Sequence, residues 1–327
     1  MKALVYEGFG PPEILKCQEV EKLTPGDDEL LIKVRAASIN PLDWKLMKGG
    51  PFLARMLLSF GKPKIKRPGL DAAGVVEAIG RNVKQFKAGE EVFGTCVAAF
   101  AEYATSASAF GIKSVLVKKP ENVSFEQAAS APVAGLAALQ GLRDKAQIRA
   151  GQKVLINGAA GGVGTFAVQI AKVFGAQVTG VCSTVNLDMV RSIGADRLID
   201  YTRDDFTKGG ETYDTILDCV GNRSLSACRR VLNPKGILVL VGAPDRATAI
   251  LARITGAVVW SRLGNKKMRF FIAQMNEKDL TTMGEFIAAG KVTPIIDKRY
   301  RLVEASEAFR YMEKGHARGK VLMTMEP

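Results

Sequence analysis

Gly158-Ala159-Ala160-Gly161-Gly162-Val163-Gly164 follows the apolar run Lys153-Val154-Leu155-Ile156 and opens a helical pattern over 163–174. Glycines at these positions let the backbone turn tightly and approach a pyrophosphate. The helix start then offers unpaired N–H groups and the positive end of its dipole. Glycine spacing alone is weak evidence, but here strand, loop, helix and next strand follow one another as a dinucleotide site requires. Working outward, apolar strand patterns at 153–156, 177–182, 197–200, 215–219 and 237–241 alternate with helical patterns at 163–174, 187–193 and 225–232. Such alternation predicts a doubly wound α/β unit with a parallel sheet covered on both faces.

The flanking sequence reads differently. Runs at 2–6, 30–37, 73–79 and 91–93 are short and extended, and glycines and prolines punctuate the region from Gly8 to Gly89. This texture predicts a small, irregular β-barrel. An Ala- and Leu-rich stretch at 125–143 is read as helix, and the runs at 295–300 and 320–325 as strands that rejoin the first domain. The predicted organisation is therefore 1–123 with 291–327 as one domain and 124–290 as the nucleotide-binding domain, which suits a chain of 327 residues.

Composition narrows the function classes. The chain is 47% hydrophobic and 24% charged, a globular balance. Its start, Met1-Lys2-Ala3-Leu4-Val5-Tyr6-Glu7-Gly8, reads as neither signal peptide nor membrane span, so a cytoplasmic protein is expected. Five scattered cysteines without a C-x-x-C pair give no disulfide framework and no zinc knot. The net charge is +13, and the basic residues form two short clusters, Lys62, Lys64, Lys66 and Arg67, and Arg262, Lys266, Lys267 and Arg269. No nucleic-acid motif surrounds either, and a solvated basic face accounts for them. RNA contact gated by a cofactor stays open as a reading of another class. A homodimer is open as well.

The end of the second strand of the nucleotide domain decides the cofactor. An NAD enzyme carries a carboxylate there, roughly 20 residues past the glycines, to bind the ribose hydroxyls. Here the chain has Cys182-Ser183-Thr184-Val185-Asn186. Small hydroxyl donors without a repelling carboxylate favour NADP, with Ser183 the expected phosphate ligand, or else a polar loop residue. Arg191 and Tyr201 follow as a candidate charge and stacking surface, or as plain exposed surface. Because ligands lie outside the carboxyl ends of strands in open α/β sheets, Cys219, Val220, Val241, Gly242 and Ala243 are expected to line the nicotinamide half.

Five segments carry a family resemblance: Ser38-Ile39-Asn40-Pro41-Leu42-Asp43-Trp44-Lys45; Pro68-Gly69-Leu70-Asp71-Ala72-Ala73-Gly74-Val75-Val76; Ala99-Phe100-Ala101-Glu102-Tyr103; Pro132-Val133-Ala134-Gly135-Leu136; and Gly315-His316-Ala317-Arg318-Gly319-Lys320-Val321. With them the chain resembles, almost end to end, the zinc-independent quinone oxidoreductases of the medium-chain dehydrogenase/reductase superfamily. It looks nearest the branch that includes plant chloroplast-envelope homologues. The resemblance implies a GroES-like β-barrel catalytic domain plus a Rossmann domain. Zinc-containing alcohol dehydrogenases of the superfamily have a metal-binding cysteine where Asn40 stands and Gly-His-Glu where Gly69-Leu70-Asp71 stands. Leucine cannot ligate zinc, and the single histidine, His316, sits in the tail motif, where it reads as a turn residue. No metal is expected.

Without a Lewis acid, the accessible reaction is hydride addition from NADPH to an acceptor already activated by conjugation, a quinone, enal or enone. Asn40, Asp43 and Lys45 are the candidates on the substrate side. The resemblance places Asn40 at the cleft, to hold the acceptor carbonyl or the nicotinamide ribose, although Asn-Pro is also a common turn start. Lys45 stands where many relatives have tyrosine; its ammonium would stabilise an oxyanion, donate a proton or bind phosphate, or else serve as surface charge. Asp43 would orient Lys45 or cap the turn. Lys320 is expected to reach the cofactor phosphates. The apolar stretch 52–60 with the basic residues after it reads as a covered loop, with a pocket lid or membrane-surface contact as alternatives.

Overall fold

A computed structural model describes residues 1–49, 67–107, 113–242, 247–262 and 264–325, so Ala243, the cluster Lys62, Lys64 and Lys66, and the stretch 52–60 lie outside the described residues. The chain divides into two compact units, residues 1–134 with 275–289 and 296–327, and residues 135–274 with 290–295.

The second unit is built on six parallel strands: Lys153–Asn157, Gln177–Cys182, Arg197–Asp200, Tyr213–Asp218, Leu232–Leu240 and Lys267–Phe270. Numbered in chain order they lie 3-2-1-4-5-6 across the sheet. That is the doubly wound order, and it puts the first and fourth strands side by side at its centre. Val154, Leu155 and Ile156 are wholly buried, as continuous apolar runs must be when helices cover both faces. The last strand was hidden in the sequence. Lys267–Phe270 reads as part of a basic cluster, yet Met268 is buried in the core while Arg269 donates to the carbonyl of Lys145.

The first unit holds a seven-stranded sheet and a two-stranded one, Lys2–Val5 paired with Lys16–Glu19. The path of the larger sheet runs Ile296–Arg301, Lys320–Thr324, Leu30–Ile39, Asp71–Ile79, Glu91–Thr95 and Val115–Lys118, with Tyr103–Thr105 also paired to Leu30–Ile39. All neighbours are antiparallel except the two C-terminal strands, which pair parallel with each other and deliver Lys320–Thr324 onto Leu30–Ile39. Leu4, Ile32, Phe100, Phe309 and Met323 fill the core, with Phe100 and Phe309 edge to face at 5.9 Å. The amphipathic helix Ala305–Glu313 turns Ala305, Ala308 and Phe309 inward at i, i+3 and i+4.

The stretch read as one helix at 125–143 is three pieces. Phe125–Ser130 starts at a capping box in which Ser124 Oγ accepts from Gln127 N–H at 3.2 Å and Gln127 Oε1 accepts from Ser124 N–H at 3.0 Å. It stops before Pro132, which lacks the N–H a continuing helix needs. Pro132–Gln140 follows, then a wider turn, Gly141–Ala146, closed by Gln147 at φ 54°.

Candidate active site: a buried charge cluster and a phosphate loop

In the first unit the helix Pro41–Met47 begins where the strand Leu30–Ile39 ends. Asn40 is its cap residue: Asp43 accepts from the Asn40 N–H at 2.7 Å, the return arm of a capping box. The Asn40 side chain, expected to meet the acceptor, is 2% exposed and engaged inside the unit. Its Nδ2 donates to Asp71 Oδ2 at 2.9 Å, and its Oδ1 accepts from Lys320 Nζ at 2.6 Å. Lys320 is 3% exposed, with its ammonium 3.7 Å from Asp71. The ammonium expected at the cofactor phosphates is thus held within its own unit, because a buried cation needs charged and polar partners at close range. Ser38 Oγ at 3.1 Å and the Val133 N–H at 3.2 Å complete the shell of Asp71.

Burial dominates the titration of this cluster. It pushes the Asp43 carboxyl up to about 7; the Asn40 N–H resists, Asp71 adds to the rise, and Lys320 and the Gly69 N–H oppose it. Burial raises Asp71 and lowers Lys320 as well, each held back first by the other's charge. Tyr6 is pushed up to about 12, by burial and then by Asp43. Asp43 caps the helix, one of the two roles its place in the sequence suggests. Lys45 itself is only half-buried, with its ammonium 5.6 Å from the Trp44 ring.

A zinc ion does not fit this set. The Asn40 oxygen is taken by an ammonium, Leu70 offers no donor, and His316 is exposed in a turn after the last helix. No group of three or more His, Cys, Asp or Glu placed to hold a metal occurs among the described residues.

In the second unit, Gly158 turns at φ 85°, and the N–H groups of Gly158 and Ala159 both donate to the Val181 carbonyl, tying the loop to the second strand. Gly161 is the cap of the helix Gly162–Val173 and gives it no side-chain cap. The first N–H groups of a helix, here from Gly162, Val163 and Gly164, have no intrahelical acceptor and form an anion site. A Cβ on Gly164 would fall 2.0 Å from the Gly158 carbonyl, so only glycine lets the turn close. Ala159 and Ala160 are buried beneath the turn, with Ala159 against Gly180 of the second strand.

Beyond that strand, Ser183 Oγ accepts from Asn186 at 3.1 Å, which leaves its hydroxyl proton to donate elsewhere. Tyr201, 43% exposed, is brought beside it by a 3.0 Å bond from its N–H to the Cys182 carbonyl. Arg191 is exposed and paired with Asp188 at 3.3 Å. Sequence reading passed over Asp200, whose register partner is Cys182. Its carboxylate is held below the usual range, chiefly by the Thr184 hydroxyl, and the Thr202 N–H and hydroxyl bind it at 3.0 and 2.8 Å. The carboxylate is thus held between Thr184, in the turn after the second strand, and Thr202 of its own loop.

Cys219, Val220 and Gly221 follow the fourth strand, and Val241 and Gly242 donate to the Asp218 carbonyl at 3.0 and 2.9 Å. Three cations of the second basic cluster bind backbone carbonyls, Lys266 to Arg229, Lys267 to Ser261 and Arg269 to Lys145. No described helix is long and apolar enough to cross a membrane.

Residues 26–141 match the alcohol dehydrogenase GroES-like domain and residues 193–323 the zinc-binding dehydrogenase family. The chloroplast envelope quinone oxidoreductase homolog of Arabidopsis thaliana is 33% identical over 99% of this chain and 98% of its own. The NADPH-dependent alkenal/one oxidoreductase, chloroplastic, of the same plant is 33% identical over 99% of this chain and 79% of its own. The quinone oxidoreductase structure from Coxiella burnetii superposes with a TM-score of 0.86 at 31% identity, covering 100% of this chain and 99% of that one.

The Asp43 titration has a measurable consequence. An unfolded aspartate titrates near its ordinary value, about 3.9, so between there and about 7 the native state binds more protons. The contribution is fully present below about pH 4 and is lost as pH rises through 7. Urea unfolding at pH 5 and pH 8 should show Asp43→Asn losing on the order of 2 kcal/mol less stability over that interval than wild type. Equal losses in the two proteins would remove Asp43 as the titrating group.

Proposed function

The chain belongs to the medium-chain dehydrogenases/reductases, among their quinone oxidoreductase homologues, and on that premise we propose an NADPH-dependent, zinc-independent reductase of quinones or other conjugated carbonyl compounds. The observation that carries this is the pairing of a complete phosphate loop with a second strand that is followed by Ser183 and ends in no carboxylate of its own. Bound NADPH supplies the hydride. The loop from Gly158 to Gly164 holds the pyrophosphate, and Ser183, Arg191 and Tyr201 the adenosine end. Cys219, Val220, Val241 and Gly242 line the nicotinamide half.

After hydride addition to a quinone or enone, negative charge spreads onto oxygen, where a positioned cation or donor stabilises it without a metal. Lys45 is proposed for that role and for proton return, since Asn40 and Asp43 are enclosed. Enals and enones stay within the proposal, supported by the alkenal/one oxidoreductase relative. A homodimer is proposed through the outer strand Lys267–Phe270, which lacks a second neighbour among the described residues and leaves Phe270 37% and Ile272 79% exposed.

NADPH oxidation should be measured against a panel of quinones, enals and enones, with and without a chelator. Turnover of at least one class, unchanged by chelation, is expected; loss of activity on chelation, restored by zinc, would overturn the metal-free mechanism.

Cofactor choice has a scale. A charge-assisted bond to phosphate contributes about 1.5 to 3 kcal/mol, roughly 10- to 150-fold in affinity. Ser183→Asp sets a carboxylate against the 2′-phosphate, so the ratio of kcat/KM for NADPH to that for NADH should fall at least about tenfold. A wild type that prefers NADH, or an unmoved ratio, would show that the phosphate is read elsewhere.

A further inference from the structure

The helix Ala247–Arg262 follows the fifth strand, and its Arg253 enters the second unit 13% exposed by its side chain. One guanidinium nitrogen donates to Asp218 Oδ2 at 2.6 Å; the other donates to the carbonyls of Arg223 at 2.7 Å and Gly221 at 3.2 Å. Asp218 is wholly buried, and its other oxygen accepts from the N–H groups of Gly221 at 2.9 Å and Val220 at 3.2 Å, and from Asn157 at 2.8 Å. One ion pair thus satisfies both the N–H and the carbonyl groups of a single turn.

That turn stands at the carboxyl ends of the central strands. A Cβ on Gly158 of the phosphate loop would meet Val220 Cγ2 at 2.6 Å, and one on Gly242 would fall 2.1 Å from the Cys219 carbonyl. The turn therefore abuts the phosphate loop on one side and the end of the fifth strand on the other. It holds Val220 43% exposed, an apolar side chain kept in solvent reach, and Gly221 at φ 79°. Those carbonyls and N–H groups have no regular ladder to return to, so the shape of the turn depends on the planar fork that spans them.

We infer that Arg253 is a positioning residue for cofactor binding, fixing the Cys219–Val220–Gly221 turn, through Asp218, in the shape that receives the nicotinamide half. The inference rests on the cofactor reading above. Arg253 touches neither cofactor nor acceptor in this role. The 2′-phosphate is read at the other end of the dinucleotide, so a disturbed turn weakens NADPH and NADH by the same factor.

Arg253→Lys keeps the charge, but one ammonium cannot reach both Asp218 Oδ2 and the carbonyls of Gly221 and Arg223 as the two guanidinium nitrogens do. Steady-state kinetics should show KM for NADPH and for NADH both rising about tenfold, with kcat within about threefold and the NADPH-to-NADH ratio unmoved. In Arg253→Ala, millimolar guanidinium in the assay should restore much of the lost affinity; a general loss of folded protein would lower kcat and leave KM alone. The inference fails if both KM values for Arg253→Lys stay within about twofold of wild type. It fails too if only NADPH is affected, which would put the lesion at the phosphate end. Failure of wild type to bind NADPH would sink the cofactor reading instead.

Discussion

The Lys320 ammonium, 2.6 Å from Asn40 Oδ1 and 3.7 Å from Asp71 in a buried setting, is the constraint around which the first unit is arranged. Removing an ammonium and a carboxylate from water costs several kcal/mol per ion, which their attraction offsets only if the remaining donors and acceptors are also met. The shell here comes from five places in the chain: the strand Leu30–Ile39 through Ser38, the helix start at Asn40, the strand Asp71–Ile79, the start of the helix Pro132–Gln140 through the Val133 N–H, and the C-terminal strand that carries Lys320. Pairing of that last strand with Leu30–Ile39 is what brings a residue 280 positions away onto Asn40. The Lys320 side chain thus stands beside Asn40, the position at which the resemblance to zinc-containing alcohol dehydrogenases would place a metal-binding cysteine.

The second unit solves a different problem, using backbone at its glycine loop and one buried ion pair, Asp218 with Arg253, at the turn after the fourth strand. The phosphate site proposed for it is backbone, made by glycines whose missing side chains let strand, loop and helix close on one another. Side chains enter mainly at the two ends, Ser183 and its neighbours after the second strand, and the turn after the fourth strand that Asp218 holds from beneath.

This second unit was the more legible in sequence, for a physical reason. Runs such as Val154-Leu155-Ile156 are apolar because both sheet faces are covered, and the phosphate loop is contiguous, so its signal lies within seven residues. The strand Lys267–Phe270 and the helix before it escaped notice because charged residues on the strand hide its period, Met268 alone marking the core. The helices Glu277–Ala288 and Ala305–Glu313 were also passed over, although the latter places Ala305, Ala308 and Phe309 on one face. In the first unit the sequence reads Asn40 as a ligand of the acceptor carbonyl or the nicotinamide ribose, and nothing near it in sequence announces its bond from Lys320. Asp71, Asp218 and Arg253 likewise owe their importance to partners far along the chain, which residue type and local spacing do not reveal.

The direct test of the cluster is the unfolding free energy of Lys320→Met in urea, alone and combined with Asp71→Asn. Leaving Asp71 buried and uncompensated should cost about 3 to 5 kcal/mol, and neutralising it in the double variant should return a substantial part of that loss. A single-variant loss below about 1 kcal/mol, or a double variant no more stable than the single, would contradict the account that the first unit depends on this ion pair.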